Sequence, residues 1–534
     1  MSSIRPSGGC PVPQSARRRR GPAGAAALTL VSFVALTAGC SGSAGRIPLA
    51  LTPTTSGWTS PTAASTTGAP GGAEPTTTDP TGTAPTGGDA TATGPTTTAT
   101  GLPGVGATAT STDPAVADDS VLAPLSAQAK APTTDGLRAV LTPLFAPSVL
   151  GTRVSAVVFD GITGAALYGW HDARPATPAS TVKILTSVAA LQSLGAQTTL
   201  PTSVVGTTPT GPVYLVGGGD QLLAAGHGSP AAVNGRAGLA DLADLAAAAL
   251  KKAGRHQITL RLDDHLFTEA RARDWAPGDG DVHDGYVAPI MALAVDDGIV
   301  KVQAGRAVRA DDPALKAATI FAKALKARGI TVSGAVRRGT APASGAATLA
   351  TVHSAPVAQI VEHLLTVSDN TAAEALARVV AVRQGLPGTF AGAGAGVTAV
   401  LRGLGVPLTG VKLTGGSGLG RSTVVTPRAL ASGLSLAASA DHPGLRSVLT
   451  GLPIAGGSGT LDQRFGSRAQ ARALGVVRAK TGTLTGVNAL AGVVVDADQR
   501  LLIFAVIADR TQNALTAESA LDRIAGTLAS CGCR

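Results

Sequence analysis

The chain has 534 residues, which at ~150 residues per domain allows about two to four domains. Only 3% of the residues are aromatic, which argues against base-stacking surfaces for single-stranded nucleic acid, and eight His with four Cys, no HExxH and no paired CxxC argue against a protein-built zinc site. The formal charge is +10, and residues 130–534 carry it as a mild excess of 37 basic over 27 acidic residues without a basic helix, which fits an anionic wall polymer or lipid surface rather than nucleic acid.

In chain order, Arg17–Arg20 form a cationic block, residues 21–39 carry no charge and are rich in Ala, Leu and Val, and the stretch closes on Leu36-Thr37-Ala38-Gly39-Cys40. Basic, then apolar, then small is the order of a secretory signal, expected here over residues 1–40. Its Gly39-Cys40 end resembles a lipobox, which would lipidate Cys40. The alternative is an uncleaved signal anchor, since ~19 apolar residues just span a bilayer. Both place the remainder on the outer face of the cytoplasmic membrane or in the wall. Residues 41–130 are mostly Thr, Pro, Gly, Ser and Ala and bury too little apolar surface to fold. They are expected to be a disordered tether reaching roughly 50 Å as a coil.

Val154–Phe159 alternates and is β-branched, and a turn at Asp160-Gly161 leads to a partner strand at Ala165–Tyr168. Ser180–Leu191 reads as an apolar helix, Val213–Val216 as a strand, Ala237–Ala253 as a helix and Ile258–Leu262 as a strand. Asp312–Arg328 is an amphipathic helix that Gly329 closes. Pro356–Thr366 and Thr371–Gln384 read as helices on either side of Val367-Ser368-Asp369-Asn370. Val477–Lys480, Ala489–Val495 and Leu501–Ala508 are strands, and Thr516–Leu528 is a closing helix. Strands from both ends of the domain with helices between them predict an α+β fold.

Three short motifs carry the chemistry. In Ser180-Thr181-Val182-Lys183 a hydroxyl and an amine share one helix face, so a neutral Lys183 can activate Ser180 if burial and a second cation lower its pKa. The plain alternative is a capped helix with a surface Lys. Against it, the chain has ten Lys in all, only Lys183 has a Ser three residues before it, and its neighbours Ile184, Leu185 and Val188 are apolar. In Ser368-Asp369-Asn370 the hydroxyl can relay a proton and the amide can bind a substrate carbonyl together with Lys183. The alternative there is a helix N-cap, with Glu374 near capping-box spacing. In Lys480-Thr481-Gly482-Thr483 the amine and hydroxyls can bind a carboxylate, and Gly482 lets a peptide lie along the strand edge. A strand end and turn is the alternative. The three in this order are the set shared by penicillin-binding proteins and class A β-lactamases.

With these motifs the chain resembles the D-alanyl-D-alanine carboxypeptidase/endopeptidases of peptidase family S13, the class C low-molecular-mass penicillin-binding proteins. The resemblance covers about residues 135–530 and includes Tyr214-Leu215-Val216-Gly217-Gly218-Gly219-Asp220, Tyr286-Val287-Ala288-Pro289 and Gly416-Ser417-Gly418-Leu419. The long interval between Ser180 and Ser368 also points to this family rather than to class A β-lactamases. The resemblance implies a penicillin-binding-protein/β-lactamase-like transpeptidase fold, an antiparallel sheet flanked by helices, within a D,D-peptidase domain at 131–534. An accessory subdomain is expected at about 205–305, between the first and second motifs.

It further implies that Ser180 attacks the bond between the terminal D-Ala residues of a peptidoglycan stem peptide while Lys183 takes its proton. Ser368 and Lys480 would protonate the departing amine, Asn370 would orient the acyl part, and Lys480, Thr481 and Thr483 would hold the terminal carboxylate, with Gly482 between them. β-Lactams would acylate Ser180, and no metal or cofactor is implied. A β-lactamase or esterase on the same site is one alternative. A silent wall-binding protein is another, against which the intact set Ser180, Lys183, Ser368, Asn370 and Lys480 speaks. Asp263, Asp264, Asp296 and Asp297 read as turn residues, and His265 and His363 as structural or exposed. Whether Cys531 and Cys533 pair with each other, with another chain or not at all stays open.

Overall fold

The first hairpin and the three late strands meet in one sheet, which brings the two ends of the folded region together. Its order is Arg478–Leu484, Val487–Val495, Leu501–Asp509, Arg153–Asp160, Ala166–Trp170, antiparallel throughout, with Arg153 opposite Asp509. The computed structural model describes residues 128–145, 148–207, 210–272, 275 and 280–534; the export signal, Cys40 and the tether up to residue 127 lie outside the described residues.

Side chains of a strand alternate faces, so a strand apolar at every position needs cover on both sides. In Leu501–Asp509, Leu502, Phe504, Val506 and Ala508 enter one apolar cluster, and Ile503, Ala505 and Ile507 enter the other. Helices Thr134–Phe145 and Ala514–Ala529 cover the first face. Helices Lys183–Leu194, Asn370–Arg383, Phe390–Gly403 and Pro427–Ala438 build the cluster on the second. Lys183–Leu194 runs through the middle of that group, buried at every position from Lys183 to Leu191, as a helix apolar all round must be. Phe390–Gly403 has no counterpart in the sequence reading, because its glycines each cost about 1 kcal/mol of helix propensity relative to Ala. Packing explains them: a Cβ on Gly396 would stand 2.8 Å from Cα of Ala381 in the neighbouring helix.

Between the first and second motifs the chain builds a second, mixed sheet ordered Arg337–Arg338, Leu260–Asp263, Val213–Gly217, Pro201–Gly206, Ala347–His353. Helices Leu239–Lys252 and Pro313–Ala327 pack their apolar sides on it. The inserted elements therefore run from 201 to 353, beyond the 205–305 expected. The reason is non-local: Pro201–Gly206 pairs antiparallel with Ala347–His353, so the insertion leaves and returns side by side. Among the described residues no helix is long and apolar enough to cross a membrane. Cys531 is bonded to Cys533.

Candidate active site

Ser180 lies in a 3-10 turn, Ala179–Val182, ahead of the α-helix that begins at Lys183, rather than inside that helix as the sequence reading had it. Ala179 holds φ +48°, a left-handed conformation that a residue with a Cβ adopts only when its surroundings impose it. Lys183 is fully buried. Its Nζ lies 3.0 Å from Ser180 Oγ, 2.6 Å from Asn370 Oδ1 and 2.9 Å from the Ser417 carbonyl. An ammonium would donate to all three. A neutral amine would donate to Asn370 and Ser417 and turn its lone pair to the Ser180 hydroxyl. Burial lowers the Lys183 pKa to about 7, against the raising pull of Asp369 and Glu374.

Asn370 opens the helix Asn370–Arg383, and its Nδ2 donates to the Tyr286 carbonyl at 2.9 Å. The N-cap is Asp369, which accepts from the Ala372 amide. Glu374 does not complete a capping box. It is buried one turn beyond Asn370, and its carboxylate accepts from the Gly416 amide (2.9 Å), the Ser417 amide (2.9 Å) and the Ser417 hydroxyl (2.5 Å). Glu374 thus fixes the loop whose carbonyl holds Lys183. The signal for it was in the sequence: an acid four residues after Asn370, on the same helix face and flanked by Ala373 and Ala375. Ser368 is half-buried with φ +60°, a second strained residue at a motif.

Lys480 lies on the edge strand Arg478–Leu484, fully buried, with Nζ donating to the Thr481 carbonyl at 3.0 Å. Burial, and then the nearby charge of Lys183, push its pKa well below the usual lysine range. The second cation thus acts on Lys480, while burial governs Lys183. The Thr481 hydroxyl is 2.8 Å from that of Thr460, and the Thr483 hydroxyl donates to Glu518 at 3.2 Å. Gly482 has a purpose other than the one read from the sequence: a Cβ there would stand 2.5 Å from the Pro178 carbonyl and 3.3 Å from Cβ of Ala179. Its missing side chain lets the strand lie directly on the turn that carries Ser180.

Ser180, Asn370 and Thr483 open onto a cavity of about 870 Å³, whose wall also includes Trp275, Tyr286 and Arg421. Lys183, Lys480, Ser368 and Thr481 are not among its lining residues. Far from it in sequence, His227, Asp241 and Asp244 cluster on the insertion, where Arg328 takes both oxygens of Asp244 and the Gly228 amide takes one of Asp241, so they form an ion-pair cluster.

A hydroxyl, an amine and an amide in direct contact beside a strand-borne lysine are the groups that serine acyl transfer calls for. Residues 138–308 and 303–528 match the D-Ala-D-Ala carboxypeptidase 3 (S13) family, and the chain belongs to that family. The chain is 38% identical over 415 residues to Carboxypeptidase Rv3627c of Mycobacterium tuberculosis, covering 77% of this chain and 87% of that protein. It is 36% identical over 426 residues to Carboxypeptidase DacB of Mycolicibacterium smegmatis, covering 79% and 89%. The fold is similar to that of penicillin binding protein 4 (dacB) from Haemophilus influenzae, with a TM-score of 0.60 at 24% identity over 73% of this chain and 98% of that one. The protein is a serine-type D-Ala-D-Ala carboxypeptidase, a hydrolase with a penicillin-binding-protein α+β fold.

Proposed function

We propose that Ser180 is the nucleophile and that Lys183, in its neutral form, takes the Ser180 proton as Oγ attacks the carbonyl between the last two D-Ala residues of a peptidoglycan stem. The observation that carries this reading is the buried Lys183 amine at 3.0 Å from Ser180 Oγ, with its other hydrogen bonds taken by neutral acceptors. The backbone N–H groups of Ser180 and Thr483 form the oxyanion hole, each worth roughly 3–4 kcal/mol of transition-state stabilisation. Asn370 orients the acyl part. The Ser368 hydroxyl passes a proton to the departing D-Ala amine and regains one from the protonated Lys183, aided by Lys480, and Lys480 with the Thr481 and Thr483 hydroxyls binds the terminal carboxylate. Water then releases the acyl-enzyme. A β-lactam acylates Ser180 in the same way and leaves slowly, because its tethered leaving group stays in the site.

A fluorescent penicillin with peptide mapping tests this directly: the adduct is expected on Ser180, and an adduct elsewhere overturns the assignment. A cross-linked muropeptide dimer in the same assay reports D,D-endopeptidase action, expected at the same serine. Penicillin turnover faster than D-Ala release would favour a β-lactamase.

The N-terminal residues act as an export signal that leaves the enzyme tethered to the outer face of the cytoplasmic membrane through a lipidated Cys40. Support comes from Arg17–Arg20, the uncharged stretch after them and the Gly39-Cys40 end. The substitution Cys40→Ser is expected to move the enzyme from the membrane to the soluble fraction while keeping D-Ala release. Retention in the membrane would instead mark an uncleaved anchor.

A further inference from the structure

Asp297, read from the sequence as a turn residue, is buried against the second motif. It sits at φ +55° in the turn Asp296–Gly298 of the insertion, and its carboxyl is hydrogen-bonded to that of Asp369. The neighbouring residues are bound from the same segment. Asn370 Nδ2 donates to the Tyr286 carbonyl at 2.9 Å, and the Ala288 amide donates to Thr371 Oγ1 at 3.1 Å. Residues 369, 370 and 371 are thus each held by the insertion.

The carboxyl pair needs a proton. Asp369 Oδ1 accepts from the Ala372 amide. Asp297 Oδ1 is buried and accepts no hydrogen bond from a described N–H or O–H donor, and the one such group within 4 Å of the buried Asp369 Oδ2 among the described ion pairs is His363. Two carboxylate oxygens only accept, and two adjacent charges in a dry site repel, so the contact requires that one carboxyl be protonated. The groups around the pair say which. His363 Nε2 lies 3.4 Å from Asp369 Oδ2, and the Lys183 amine also interacts with Asp369. Burial raises the Asp369 pKa, but the hydrogen bonds from His363, Asp297 and the Ala372 amide outweigh it and hold it below the usual range. Asp297 has Arg309 Nη1 at 3.7 Å from Oδ2, opposed by Asp296 on its own turn. Burial and the Asp369 charge push Asp297 well above the carboxylate range.

We propose that Asp297 is a positioning residue, a protonated carboxyl from the insertion that donates to Asp369 and so fixes Ser368 and Asn370 for acyl transfer at Ser180. This rests on the reading of Ser180, Lys183 and Asn370 given above. Arg309 locks the donor in place: Nη1 donates to the Asp297 carbonyl at 2.7 Å, and Nε and Nη2 donate to the Gly285 carbonyl, one residue before Tyr286. The strained Ser368 is the residue such bracing would hold.

The test uses the full chain as wild type, Asp297→Asn and Asp297→Ala. Infrared difference spectra of wild type against Asp297→Asn at neutral pH are expected to show a protonated-carboxyl C=O band that disappears in the variant. Fluorescent-penicillin acylation is then compared at a temperature where all three proteins are folded. Asp297→Asn, whose amide N–H can still donate to Asp369, is expected to keep at least about a third of the wild-type rate, while Asp297→Ala falls about ten-fold or more. Absence of the band, an Asn variant as slow as the Ala variant, or an Ala variant as fast as wild type would each overturn the proposal. If the wild type itself did not acylate, the acyl-transfer reading would fail, and the infrared band would still decide the proton on Asp297.

Discussion

Charge is handled in opposite ways in the catalytic region and in the insertion. In the catalytic region Lys183 and Lys480 are sealed from water and held by a hydroxyl, an amide and backbone carbonyls. In the insertion Arg338 forks onto Asp264 and Asp312, and Arg328 onto Asp244, with these groups partly in solvent. A desolvated amine among neutral acceptors gives up its proton readily, which is what a base needs. A guanidinium forked to carboxylates never does, and near the surface it contributes little. Buried carboxyls depart from that pattern in the insertion: Asp220, and Asp297 where the insertion reaches the second motif.

The largest expected effect is at Ser180. Ser180→Ala should lower D-Ala release from a stem pentapeptide by roughly 10⁴-fold or more and abolish the penicillin adduct seen by mass spectrometry. Retained release would remove the basis for treating the buried lysines as catalytic. Lys183→Ala should slow acylation by about 10²–10⁴-fold. In the wild type, acylation should rise with pH through about 7, because only the neutral amine accepts the Ser180 proton, and that limb should vanish in the variant.

The same shift carries a sign for stability. The folded-state pKa of about 7 lies below the ordinary lysine value of 10.5, so between them the unfolded chain binds more protons at Lys183 than the folded one. That term makes stability rise with pH across the window, and urea melts of wild type against Lys183→Met should diverge there.

Effects on packing come next. Gly482→Ala should cost about 1–3 kcal/mol in a thermal or urea melt and slow acylation, since the new methyl meets the Pro178 carbonyl beneath Ser180. Glu374→Gln should cost about 1–3 kcal/mol, because an amide N–H₂ then faces N–H and O–H donors. A slower acylation with unchanged penicillin binding would tie Glu374 to the seat of Lys183. The smallest effect is the counterpart in the insertion: Arg338→Ala should change stability by about 0.2–1 kcal/mol and leave acylation unaltered. A large loss of activity there would erase the contrast between the two regions.

Most strands of the main sheet were legible because they are short β-branched runs between turn residues, and the helices around Ser368 because Pro356 and Asp369 mark their starts. Phe390–Gly403 was hidden because glycine lowers helix propensity whatever the neighbouring helix demands. Strands Pro201–Gly206 and Ala347–His353 were missed because a single strand declares itself weakly until its partner is known. Of the candidate site, Ser180, Lys183 and Asn370 could be named from local spacing. Glu374 looked like a cap and Asp297 like a turn, since a carboxylate in sequence does not say whether water or protein will surround it.

By itself the amino-acid sequence determined the chemistry on offer: a hydroxyl and an amine three residues apart, an amide after an acidic cap, and a lysine on a strand, all in the order of one enzyme family. Those are local facts, set by residue type and by the repeat of helix and strand. Only the tertiary structure decided the protonation and bracing of these groups. Packing removes water from Lys183 and Lys480, seats Gly482 on the turn that carries Ser180, and brings Asp297 from the insertion against Asp369. Desolvation and contact between distant segments exist only once the chain has folded.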